Sequence, residues 1–223
     1  MAGKSKQEVS LSARGLMKKG GWLLLMLAAT VIALMSTRFL LPDPPHVGPE
    51  IMANFIAHKP TFLAHVLGSL IALLIGPWQF IGGLRNRWPG LHRWTGRLYM
   101  LAVLVGGVGG FIVAWTTLAG PVAVAGFATL SVLWLYVTGK GYQTVRAGRY
   151  VEHRRWMIRS YALTAAAITL RLGLPIAPAL GYDFMTGYII QTWAAWLINL
   201  AVAEFYLYRE LSRTASKGDE VSV

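Results

Sequence analysis

The sequence predicts an all-α fold: a polytopic transmembrane bundle of six helices with both termini cytoplasmic. Three observations predict it. The 223-residue chain is 55% hydrophobic and only 13% charged, about half the charged fraction of soluble domains, and its mean hydropathy is +0.50. Six apolar runs are each long enough to supply the roughly 20 helical residues that cross a bilayer core. Lysine and arginine are distributed so that the connections between runs sort into two sides.

The first run, 21–41, follows Lys18 and Lys19 as a signal peptide would. It is longer than the roughly 7–15 apolar residues of such a peptide, and no small-residue cleavage site precedes Pro42, so it reads as a retained helix. The next runs are 60–82, 95–118, 120–139, 156–177 and 187–208. Between the first two lies PDPPHVGPEIMANFIAHK, 42–59, the longest external connection. Its prolines bar a continuous helix at the start and leave room for a short interfacial helix after them. The fifth run ends at LPIAP, where Pro175 and Pro178 stop or kink it. The runs show no interruption at mid-membrane, which argues against a transporter, since transporter sites are built on broken helices. Residues 1–20 read as a basic cytoplasmic tail, 21–210 as the membrane domain and 211–223 as a cytoplasmic C-terminal tail.

Orientation follows from the excess of basic residues in cytoplasmic loops. With the N-terminus inside, the inner segments hold Lys4, Lys6, Arg14, Lys18 and Lys19, then Arg85, Arg87 and Arg93. They also hold Lys140, Arg146, Arg149, Arg154 and Arg155, then Arg209, Arg213 and Lys217. Only Arg38, Lys59 and Arg171 fall toward the outside. The net charge of +12 is therefore a topology signal and gives no footing for nucleic acid, which needs a continuous basic face.

Cysteine is absent, which excludes disulfides, iron–sulfur clusters, cysteine zinc sites and thiol nucleophiles together. Zincin, nucleophile-elbow, Walker and dinucleotide fingerprints are missing too, so hydrolase, ATPase and Rossmann chemistry has no foothold. GGVGG at 106–110 lies within the third run, where small residues permit close helix packing.

One short pattern recurs. HRWTGRLY at 92–99 and HRRWMIRSY at 153–161 share W-x-x-R-x-Y: Trp94, Arg97 and Tyr99 against Trp156, Arg159 and Tyr161. Each copy opens a helix running outward and is followed by one returning helix. Helices three and four are thus expected to repeat, in parallel, as five and six. Tryptophan and arginine three apart share a helix face, and tyrosine two further on points elsewhere. A belt of interfacial aromatics with snorkelling arginines accounts for one copy. Arg97 and Arg159, about a turn deeper than their tryptophans, call for more. Glu204, in the sixth run at similar depth, is a candidate countercharge, because an intramembrane carboxylate needs a partner or a watery cavity. A structural Arg–Glu pair between helices is the alternative. Gln79 is expected in the same layer.

His92 and His153 precede the two copies at matching depth. They are candidate axial ligands of haem iron, with the arginines on its propionates, or hydrogen-bond donors to a quinone. Interfacial histidines at helix starts are the alternative. His65, in FLAHVLGSL, is about 15 residues, or roughly 22 Å, from the inner face and cannot share that iron. It is expected to face Arg171, in AAAITLRLGLP, as a second polar site near the outer surface. His58 and His65 are about 10 Å apart along one face and form no metal site alone; His46 carries no signal.

The segments HVLGSLIALLIGPWQF, LHRWTGRLYM and HRRWMIRSYALTAAAITLRL, within 58–177, resemble the bacterial integral-membrane proteins grouped as domain-of-unknown-function family 2306. The resemblance implies a multi-pass protein of the bacterial cytoplasmic (inner) membrane and brings no activity with it. Two functional expectations stand. One is electron transfer through haem b or a quinone, held by His92, His153, Arg97, Arg159 and Glu204, with His65 and Arg171 as an outer site. The other is a non-catalytic component whose arginines clamp anionic lipid headgroups or support a complex with another membrane protein or a second copy.

Overall fold

The computed structural model describes residues 20–41 and 49–219. Pro42, Pro44, Pro45, His46, residues 1–19 and residues 220–223 lie outside the described residues. Every regular element among the described residues is helical. α1, Gly20–Leu40, closes on a 3-10 turn at Thr37–Leu40. The short helix expected after the prolines is α2, Pro49–Ala57. α3, Lys59–Ile75, passes into a 3-10 turn at Pro77–Phe80, and α4 is Gly82–Arg87. α5, Pro89–Trp115, and α6, Pro121–Arg146, follow. Then come α7, Tyr150–Thr164, α8, Ala166–Gly173, α9, Ile176–Ala179, and α10, Phe184–Asp219.

Five of these stretches are long and apolar enough to cross a membrane: Gly20–Leu40, Lys59–Phe80, Pro89–Trp115, Pro121–Arg146 and Tyr150–Ala179. They coincide with the first five predicted runs. The sixth run lies inside α10, which is not among the five; Gln191, Asn199, Glu204 and Arg209 dilute its apolar content. α10 is 36 residues long, about 54 Å, and carries the helix through much of the segment expected as a tail.

Local chemistry sets the boundaries. Proline stands in the first turn of α3, α5 and α6, where its missing N–H removes nothing. α6 ends in a Schellman motif: Gly148, at φ 72°, sends its N–H to Val145 O while Arg149 N–H reaches Thr144 O, a geometry that favours glycine. Asp183 caps α10, accepting Thr186 N–H at 2.8 Å and Thr186 Oγ1–H at 2.5 Å.

The bundle is drawn together by small residues. An added Cβ at Gly68 would lie 2.5 Å from Gly106 N, and one at Gly109 would lie 2.9 Å from His65 N. The glycines of α5 therefore let its backbone rest against α3, as expected of GGVGG. The main core surrounds Tyr99, Trp134, Tyr161 and Trp196, and a second core packs α1 on α3 and α8 through Ala29, Ile32, Leu73 and Ile168.

The fifth run is not one helix. It breaks at Ala165, between α7 and α8, contrary to the uninterrupted span expected. Thr164 Oγ1 donates back to Ser160 O at 2.9 Å, a bond that bends helices, and Ile168 N–H turns to Ala165 O in a 3-10 step. Asn199 of α10 spans the break: its Nδ2 donates to Ala162 O, and its Oδ1 accepts from Thr169 Oγ1 at 2.8 Å.

Candidate binding cavity

The basic end of the bundle, where α4 and α5 meet the α6–α7 turn, holds the recurrent motif. Its second copy is engaged. Arg159 donates Nε–H to Glu204 Oε1 at 2.5 Å and Nη2–H to Oε2 at 2.8 Å, and its guanidinium stands 5.0 Å from the Trp156 ring centre. Glu204 faces outward, 48% exposed. Arg154 makes a second link from α7 to α10, through Glu210 at 2.6 Å and Tyr206 OH at 3.2 Å, which sequence spacing does not announce. The first copy stands apart. Trp94 is 70% exposed, and Arg97 beside it is exposed and has no hydrogen bond or ion pair among the described residues. Gln79 does not join the arginines: its Nε2 donates to Thr95 Oγ1 at 2.7 Å, and its buried Oε1 has no partner.

His153 lies 2.8 Å, through Nδ1, from Gly141 O. A carbonyl only accepts, so Nδ1 is the donor. His92 is half-buried and within electrostatic reach of Arg85, Arg93 and His153. The structure thus brings His92 near His153 and Arg159 onto Glu204, while Arg97 remains outside both groupings.

Toward the other end lies a cavity of about 300 Å³ between α1, α3, α5, α6, α7, α8 and α10. His65 and Arg171 both line it, as does Arg38. His65 donates Nδ1–H to Gly106 O at 2.7 Å, possible only because Gly110 leaves room: a Cβ there would lie 2.6 Å from the ring nitrogen. Arg171 donates to Ala167 O and to Ser36 Oγ, each at 3.0 Å. Neither acceptor is charged. Two buried atoms of lining residues, Arg38 Nε and Gln191 Oε1, have no hydrogen-bond partner among the described residues. No Asp or Glu lines the cavity, so among the described residues its arginines have no carboxylate there. The rest of the wall is largely apolar and aromatic, including Phe62, Trp134 and Trp196.

The tyrosines of the repeated motif point into the bundle. Tyr99 is 1% and Tyr161 5% exposed. Tyr161 OH donates to Leu73 O at 3.3 Å. Tyr99 OH lies 2.8 Å from Ser160 Oγ and 2.9 Å from Thr164 Oγ1. Trp134 Nε1–H reaches the same Thr164 oxygen at 2.9 Å, and Thr138 Oγ1 lies 2.7 Å from Ser160 Oγ. Thr164 and Trp134 also line the cavity. Sequence reading misses this cluster; its one signal is serine and threonine inside apolar runs.

No curated protein and no solved structure matches the chain. Residues 62–207 match the family described as predicted membrane protein (DUF2306), a stretch that holds both copies of the motif, His65, Arg171 and Glu204, and the chain belongs to that family of membrane proteins.

Proposed function

We propose that the chain is a six-span protein of the bacterial cytoplasmic membrane, with α10 as its sixth span and both termini inside, that binds the anionic head of an amphiphilic small molecule in the cavity. The basic residues of the α4–α5 and α6–α7 connections support that orientation. The observation that carries the binding reading is a cavity faced by Arg38, His65 and Arg171 with no carboxylate among its lining residues. Arginine in an apolar span is costly unless matched by an anion, and an incoming carboxylate or phosphate would supply that match while its apolar part lay against Phe62, Trp134 and Trp196. Arg171 and Arg38 would take the charge through their N–H groups.

The test is titration of the purified protein with a dansylated undecanoic acid, read by energy transfer from tryptophan. Binding should saturate. Arg171→Gln and Arg38→Gln should each weaken it about tenfold, the scale of one lost charge-assisted hydrogen bond. Equal affinity in both variants would remove the cavity from the account.

A second reading is favoured by the His153 imidazole, which Gly141 O orients with Nε2 left free, the outer-shell arrangement of ligating histidines. In it, His92 and His153 hold haem b or hydrogen-bond a quinone, without the help of Arg97 and Arg159 that the sequence suggests, since Arg159 is held by Glu204. Reduced and oxidised visible spectra test the haem form. A Soret band lost in both His92→Ala and His153→Ala supports it; no band after expression with ample haem sinks it.

A further inference from the structure

The cavity holds two kinds of unmatched polar group. Arg38 and Arg171 stand within electrostatic reach of each other, and their N–H groups donate and cannot accept. Hydroxyls of the wall, such as Ser69 and Ser131, turn to give or to take a hydrogen. Gln191 differs from both. Its Oε1 accepts and cannot donate, it is buried, and no donor reaches it among the described residues.

Packing holds the Gln191 carboxamide in place. Gln191 comes from α10 and lies against Gly173 of α8, where an added Cβ would collide with the amide nitrogen and carbon and lie 2.6 Å from Oε1. The missing side chain at Gly173 is thus what admits the carboxamide between the two helices. Turning the amide over exchanges its oxygen and nitrogen, and an acceptor remains in the slot either way.

Depth places that acceptor beside the arginines. His65 is six residues into α3 and Gln191 seven into α10, about 9–11 Å from those helix starts. Arg38 is two residues from the end of α1 and Arg171 two from the end of α8. All four helix ends lie away from the basic loops. Trp134 and Trp196, 13 and 12 residues into α6 and α10, lie about 18–20 Å in. An amphiphile whose anion meets the arginines therefore directs its apolar part toward the tryptophans and keeps its head at the level of Gln191. A head made of a carboxylate alone would bring an acceptor to an acceptor and leave Oε1 unpaired, at the full desolvation penalty of a buried polar atom.

We propose that the ligand's head carries a hydrogen-bond donor beside its anion, an amide N–H or a hydroxyl, and that Gln191 accepts from it. The ligand class is then that of N-acyl amino acids and hydroxy acids with an apolar chain. This inference rests on the proposed binding of an anionic amphiphile in the cavity.

The experiment measures displacement of the dansylated undecanoic acid from the purified full chain by two pairs of competitors. One pair is N-dodecanoylglycine and its N-methyl analogue, which lacks the N–H. The other is α-hydroxydodecanoic acid and dodecanoic acid. In the wild type the donor-bearing member of at least one pair should compete about five- to tenfold better, the scale of one hydrogen bond. A preference in the first pair alone identifies an amide, and in the second alone a hydroxyl. Gln191→Met, which keeps the side-chain length and removes the carboxamide, should abolish the preference. Gly173→Ala, which pushes the carboxamide from its slot, should reduce it. Each result is a ratio within one protein, so a change in probe affinity cancels, and size exclusion reports the fold. Equal competition within both pairs in the wild type, as when water serves the carboxamide, overturns the donor while leaving the anion site standing. A preference undiminished in folded Gln191→Met overturns Gln191 as its acceptor. Probe binding that ignores Arg38 and Arg171 overturns the anion site and this inference with it.

Discussion

The Arg159 guanidinium grips the Glu204 carboxylate through two parallel hydrogen bonds on the outer surface of the bundle, with Arg159 24% and Glu204 48% exposed. The pair ties α7 to α10 from the side and does not face the cavity. A half-exposed pair falls between the surface case, about 0–1 kcal/mol, and the buried case, where losing one partner costs about 3–5 kcal/mol. Glu204→Gln should cost about 1–3 kcal/mol in detergent-solubilised thermal unfolding, and neutralising Arg159 as well should restore part of the loss. A melting curve unchanged in Glu204→Gln would show the pair to be inert.

Close approach of α3 and α5 depends on glycine where backbone, not side chain, would be struck. At Gly68 a Cβ meets Gly106 N at 2.5 Å, whereas at Gly83 nothing lies within 4 Å. Gly68→Ala should destabilise by about 1–3 kcal/mol or reduce the yield of monodisperse protein. Gly83→Ala should be neutral or slightly stabilising. Equal behaviour of the two in size-exclusion and melting measurements would contradict this packing.

Asn199 is the side chain that spans the break in the fifth run. Asn199→Leu removes the donor to Ala162 O and the acceptor of Thr169, at a cost of about 1–2 kcal/mol. Because Thr164, Ala166 and Ala167 at the break line the cavity, probe affinity should fall with it. A variant unchanged in both melting and binding would mean that the backbone holds the break unaided.

Outside the spans, the Asp183 carboxyl is held below the usual carboxylate range, first by the Thr186 hydroxyl and then by backbone N–H bonds. A carboxyl depressed in the folded state contributes stability above its unfolded value, near about 3.9, and loses it as pH falls through the lower folded value. Melting temperature should therefore be insensitive to this group at neutral pH and decline in acid. Asp183→Asn, which keeps a cap but cannot ionise, should show a shallower decline. An identical acid profile in the variant would remove Asp183 from the pH response.

Much of the framework was legible because the free energy of placing a residue in lipid or water is nearly a local property. Composition and run length located five helices long and apolar enough to cross a membrane, proline and glycine marked most of their ends, and GGVGG announced a close helix contact. The Arg159–Glu204 pairing was legible as well, since two opposite charges in apolar surroundings have few alternatives. His65 and Arg171 were expected to share an outer site, and they line one cavity.

The rest was decided by which faces meet. The two copies of W-x-x-R-x-Y are alike in sequence, yet Arg97 is exposed without a partner among the described residues and Arg159 is paired, because α10 supplies a carboxylate beside only one of them. Tyr99 is buried among hydroxyls from two other helices, reaching Ser160 and Thr164 more than 60 positions away, a separation at which no periodicity carries information. Arg38 Nε and Gln191 Oε1 become conspicuous only once buried without partners among the described residues. The sequence by itself determined a helical chain with several helices apolar enough to span a membrane, a basic end and a few costly polar residues. Only the tertiary structure decided that Arg38, His65 and Arg171 surround a cavity with no carboxylate among the described residues of its lining and that hydroxyls extend from its wall, because burial and hydrogen-bond partnership depend on helices brought together from distant parts of the chain.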